Sequence, residues 1–113
     1  MSAQLSGLAS DRRGSPRYRV ESMCVIRDGE QSLAGRLQEI SASGAYLVMR
    51  QRPDLGHKVT LSHPFAGEIV ATVTRHDQYG CGLQFELGES AVGFALRAIA
   101  ADMTTAHALT LLD

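Results

Sequence analysis

The chain has 113 residues, 44% of them apolar and 20% charged, and a formal net charge of -1. That length allows one modest core and is too short for two, so a single domain is expected. Near-neutral charge excludes a global bias toward nucleic acid, anionic membrane or acidic substrate, and any electrostatic specificity must therefore be local.

No run approaches the roughly 18 to 20 apolar residues needed to cross a bilayer, and Met1 to Gly7 has neither the basic start nor the apolar stretch of a signal peptide. The expectation is a cytoplasmic protein with no membrane insertion. Residues 1–11 are small and polar without a sustained period, and read as a flexible N-terminal arm. It leads into a basic turn, Asp11-Arg12-Arg13-Gly14-Ser15-Pro16-Arg17, where Gly and Pro interrupt any helix.

Alternation from Tyr18 to Ile26 puts Val20, Cys24 and Ile26 on one face and Arg19 and Glu21 on the other, as in a half-buried strand. Asp28-Gly29 marks a turn. Leu33 to Ile40 and Ala45 to Met49 are the next strands, joined by the turn-prone Ser41-Ala42-Ser43-Gly44 into a hairpin, with Gly44 expected at positive φ. Val59 to Ser62, Glu68 to His76 and Gly80 to Glu86 complete six strands, separated by Pro53 to Gly56 and Pro64 to Gly67.

After Gly88 the period lengthens. Val92, Leu96, Ile99 and Met103 share one face of a helix that starts at Glu89 or Ser90, and this stripe is the expected core contact. Residues 106–112 continue the helix or form a second short one. The fold class is all-β with a C-terminal helix: a six-stranded antiparallel barrel with the helix over an open side or end.

Cys24 and Cys81 lie inside apolar alternating segments without metal or redox spacing, and read as buried free thiols. His57, His63, His76 and His107 are scattered without metal-ligand spacing, and each reads as a loop or surface residue. No metal cluster, nucleophile-base pairing or phosphate-cradling glycine loop can be assembled, so the chain is not read as an enzyme, and no cofactor is expected.

Two features carry unusual chemistry. Arg12, Arg13, Arg17 and Arg19 are opposed locally only by Asp11. Guanidinium forks bond phosphate oxygens in pairs and also take the O6 and N7 acceptors of guanine, so one arginine cluster can hold both halves of a guanine nucleotide. The second feature is Glu39-Ile40-Ser41-Ala42-Ser43-Gly44. Its carboxylate can accept from guanine N1-H and N2-H, and the Ser41 hydroxyl with a nearby backbone N–H can bind sugar or phosphate.

In order, these features resemble the PilZ pattern of R-x-x-x-R followed by [D/N]-x-S-x-x-G. They stand here as Arg13 to Arg17 and as Glu39, Ser41 and Gly44, and Gly80 to Phe85 is similar to the family's last strand. The resemblance covers residues 12–113. It implies a PilZ-type barrel that binds the bacterial second messenger cyclic di-GMP through Arg12, Arg13, Arg17, Glu39, Ser41 and Gly44. The arm would fold over the barrel mouth, creating a surface for an unidentified downstream protein effector in motility or biofilm regulation.

Arg12 in front of the motif implies a stacked pair of ligand molecules, and the expected state is a monomer or weak dimer. Glu39 stands where the family has Asp or Asn, one methylene longer, which supports the alternative of a degenerate module acting through protein contacts alone. Nucleic-acid binding is disfavoured, because the six aromatic residues do not interleave with basic patches.

Overall fold

The computed structural model describes residues 16–112, with side chains through residue 103. The strands are β1 (Tyr18–Asp28), β2 (Gln31–Ile40), β3 (Gly44–Val48), β4 (Lys58–His63), β5 (Gly67–His76) and β6 (Gly80–Phe85), followed by one helix, α1 (Glu89–Leu112). They close a barrel in the order β1-β2-β3-β6-β5-β4, antiparallel throughout, with closure where Val25, Ile26 and Arg27 pair with Ser62, Leu61 and Thr60. The six strands are those expected from the sequence, and away from three bulges their faces follow its alternation. Val20, Cys24, Ile26, Leu37, Leu47, Leu61, Val73, Leu83 and Phe85 all point inward. Burying each of the larger ones contributes about 1.5 to 3 kcal/mol.

Both cysteines are free and buried, and burial pushes each thiol up to about 11. They are neutral and unreactive at neutral pH.

Three bulges interrupt the ladders: between Arg19 and Ser22 in β1, between Leu37 and Glu39 in β2, and between Val73 and Arg75 in β5. An extra residue reverses which side chains face outward beyond it. Inward positions in β2 therefore run Leu33, Gly35, Leu37 and then Ile40, leaving Glu39 outside. In β5 the inward series Ile69, Ala71, Val73 stops, and Arg75 emerges on the outer wall.

The helix caps one end of the barrel, but not with the expected stripe. Val92, Leu96 and Met103 are 46%, 62% and 65% exposed, and Ile99 is only partly buried. The face that packs inward carries Ala91, Phe94, Ala95 and Ala98. Alanines allow close approach of the helix to the barrel end, and Phe94 enters as a plug, edge-on to Phe85 at 5.8 Å and to His63 at 6.1 Å. Arg97 Nε donates to the Ala66 carbonyl, and Asp102 accepts from Glu21 N–H at 2.9 Å.

His63, expected in a loop or on the surface, is instead buried, at 3% exposure. It continues the inward series Val59, Leu61, His63, and its Nδ1 accepts the N–H groups of Phe65 and Ala66, each at 3.0 Å. Burial lowers its pKa from the ordinary 6.5, against a smaller opposing pull from Asp102. The folded state thus binds fewer protons here than the unfolded one, and stability falls as pH drops below about 6.5.

His57 on the surface, bonded to Asp28 at 2.9 Å, shifts the other way: its contribution is complete below 6.5 and fades as pH rises through the elevated value. The expected result is a melting temperature that declines between pH 6.5 and 5, with a slope that flattens in His63→Asn. An unchanged slope in that variant would show that His63 is not the group involved.

Candidate ligand-binding cleft

The turn Ser41 to Gly44 joins β2 and β3 at the capped end. Ser41 N–H donates to the Gly44 carbonyl at 2.9 Å, and Ser41 Oγ accepts from Ser43 N–H at 3.1 Å and Gly44 N–H at 3.2 Å, with Ser43 Oγ 3.0 Å away. Phe85 N–H reaches the Ser43 carbonyl at 2.9 Å and ties the turn to the end of β6. Both serines are buried with their polar groups satisfied by the turn itself. Ser41 holds the hairpin in shape.

Gly44 is needed for a reason other than the expected one. It does not have positive φ; those values belong to Gly29, Gly56, Gly67 and Gly88. A Cβ at Gly44 would stand 2.2 Å from the Leu83 carbonyl oxygen, so the close approach of β3 to β6 requires a residue without one.

Beside the turn a cleft of about 510 Å³ runs along the outer wall, lined by Arg17, Glu39, Ile40, Ser41, Ser43, Gly44, Ala45, Tyr46, Thr74, Arg75, Gly82, Leu83, Gln84 and Leu87. That is enough room for a nucleotide-sized ligand. The site lies along the wall, because the helix occupies the neighbouring barrel end. Arg17, Glu39, Ser41 and Gly44 are brought together here, from both halves of the sequence pattern. Arg12 and Arg13, like the arm 1–11, lie outside the described residues. Arg17 and Glu39 face each other at 3.9 Å, each side chain 41% exposed, a loose ion pair that adds little to stability.

Sequence reasoning missed Tyr46, Arg75 and Gln84. Tyr46 on β3 pairs with Gly82 on β6, and Gly82 pairs with Arg75 on β5, so three neighbours form one row across the wall. Arg75 lies over Gly82, with Cβ and Nε each 3.4 Å from the position a Cβ would take there, and its guanidinium rests 5.6 Å from the Tyr46 ring centre. The Tyr46 hydroxyl donates to Asp77 at 2.8 Å, and Asp77 also accepts from Tyr79 and Gly80 N–H.

Burial, the bond to Asp77 and the Asp77 charge push the phenol up to about 12, so it stays a neutral donor. The same bond, followed by that from Tyr79 N–H, holds the Asp77 carboxyl below its usual range. A signal was present in the sequence. Strict alternation assigns both Glu39 and Arg75 to the core, and a charged residue at an inward position points to a bulge that turns it out.

His76 bonds the Pro53 carbonyl rather than Asp77, so the two do not form a dyad. Among the described residues no group of His, Cys, Asp and Glu could hold a metal, and no helix is long and apolar enough to cross a membrane.

Comparison with protein-family models matches the PilZ domain over residues 11–99. A search of curated proteins found no matching relative. The match covers most of the chain, which thus belongs to the PilZ family, a family of cyclic di-GMP receptors.

Proposed function

We propose that this chain binds cyclic di-GMP in the wall cleft through Arg17, Glu39 and the Ser41–Gly44 turn, joined by Arg12 and Arg13, and passes the signal to a protein partner. The observation that carries this reading is the convergence of Arg17 with the Glu39-x-Ser41-x-x-Gly44 hairpin on a single cleft. Arg17 would leave its loose contact with Glu39 and take a phosphate through paired N–H bonds. Glu39, released, would accept the guanine N1-H and N2-H donors. Ser41 acts indirectly, since its hydroxyl already fixes the turn that presents Glu39 and Gly44. Ordering of the arginine arm around the ligand would create the surface that a cytoplasmic effector reads.

Arg17→Ala is expected to weaken cyclic di-GMP binding at least about tenfold in a fluorescence titration by removing a charge-assisted contact. Arg17 is exposed, so the variant should keep the wild-type melting temperature. Equal affinity in the variant would place the ligand elsewhere.

A second reading, a degenerate module that works by protein contacts alone, is favoured by the Arg17–Glu39 pairing and by the extra methylene of Glu39. Glu39→Asp separates the two. Little change in affinity supports the nucleotide receptor, and a gain from no binding to micromolar binding supports degeneration.

A further inference from the structure

The Arg75 side chain makes no hydrogen bond or ion pair with the described residues, although it sits in the cleft beside Glu39, Gln84 and Tyr46. Its five N–H donors are unspent, and it is held by van der Waals contact with Gly82, by the Tyr46 ring and by the longer-range attraction of the Asp77 charge. The arrangement is built by three local choices. The bulge after Val73 turns Arg75 outward, Gly82 leaves the space over which it lies, and Asp77 fixes the far end of Tyr46. A salt-bridging arginine would need none of these. What they produce is a flat, exposed cation backed by an aromatic ring, a surface that suits the face of a purine.

We infer that the Arg75 guanidinium, laid on Tyr46 across the gap at Gly82, is the plane on which one guanine base of the ligand stacks. This rests on the reading of the cleft as a cyclic di-GMP site, and it assigns Arg75 to a base rather than to a phosphate. Gln84 lies in the same cleft, within reach of the edge of a base stacked there.

The two roles separate by variant and by spectrum. Arg75→Lys keeps the charge and loses the plane, so stacking predicts at least about a tenfold loss of affinity for cyclic di-GMP, similar to that of Arg75→Ala. A phosphate contact predicts that the lysine variant binds within about twofold of wild type. In an NMR titration of the wild-type chain, the Arg75 Nε–H resonance is expected to move upfield under the ring current of a stacked base; a downfield shift would indicate a new bond to phosphate and overturn the inference. Because Arg75 is exposed, unchanged melting temperatures in both variants serve as the folding control. Wild-type binding with an unaffected Arg75→Lys sinks this inference and leaves the receptor reading intact, whereas no binding by the wild-type chain sinks both.

Discussion

Gly80→Ala is expected to lower the melting temperature by at least about 12 °C, the largest effect of an alanine at any of the described glycines. A Cβ at Gly80 would stand 1.8 Å from the Leu47 carbonyl oxygen and 2.8 Å from its carbon, inside the β3–β6 ladder where Gly80 pairs with Val48. Neither atom belongs to a flexible side chain, so the strands themselves must separate. Gly80 is also bound by its own hairpin, donating to Asp77 Oδ1 and accepting from Asp77 N–H, and cannot move away freely. A cost of about 3 to 5 kcal/mol follows, at the high end for one substitution. Gly44→Ala, with a Cβ 2.2 Å from the Leu83 carbonyl, should show the same effect in milder form and disturb the cleft as well. Thermal denaturation followed by circular dichroism reads both, and a Gly80→Ala melting point within a few degrees of wild type would mean that β3 and β6 are not packed this closely.

Phe94→Ala is expected to destabilise the fold by about 3 to 5 kcal/mol, whereas Leu96→Ala should cost no more than about 0.5 kcal/mol. Phe94 is 1% exposed and fills the barrel end against Phe85 and His63; Leu96, two residues on, is 62% exposed. The ranking runs opposite to the pattern in the sequence, where Leu96 belongs to the more conspicuous apolar stripe. Urea denaturation of the two variants decides it, and the reverse order would put the Val92-Leu96-Met103 face against the barrel.

This pair also explains where sequence reading reached its limit. The strands were legible because a half-buried strand imposes a period of two on residues such as Cys81, Leu83 and Phe85, and all three are buried. On the helix two apolar faces competed. Period alone could not separate Val92-Leu96-Met103 from Ala91-Phe94-Ala95-Ala98, and the large residues outweighed the small ones, although close helix docking favours alanine.

In the cleft, Arg17, Glu39, Ser41 and Gly44 were legible as a spaced pattern, yet the parts played by the last two were not. Ser41 spends its hydroxyl on the turn, and Gly44 answers to the Leu83 carbonyl, a contact between strands far apart in sequence. Arg75 and Tyr46 escaped notice because they meet only across Gly82 on a third strand, after a bulge reverses the parity of β5.

The central claim is that this cleft is a receptor site for cyclic di-GMP, and calorimetric titration of the full chain tests it most directly. The account predicts saturable heat with Kd below about 100 μM, equivalent to more than about 5.5 kcal/mol, and at least about tenfold weaker binding to Arg17→Ala. No heat up to that concentration with the wild-type chain would contradict it.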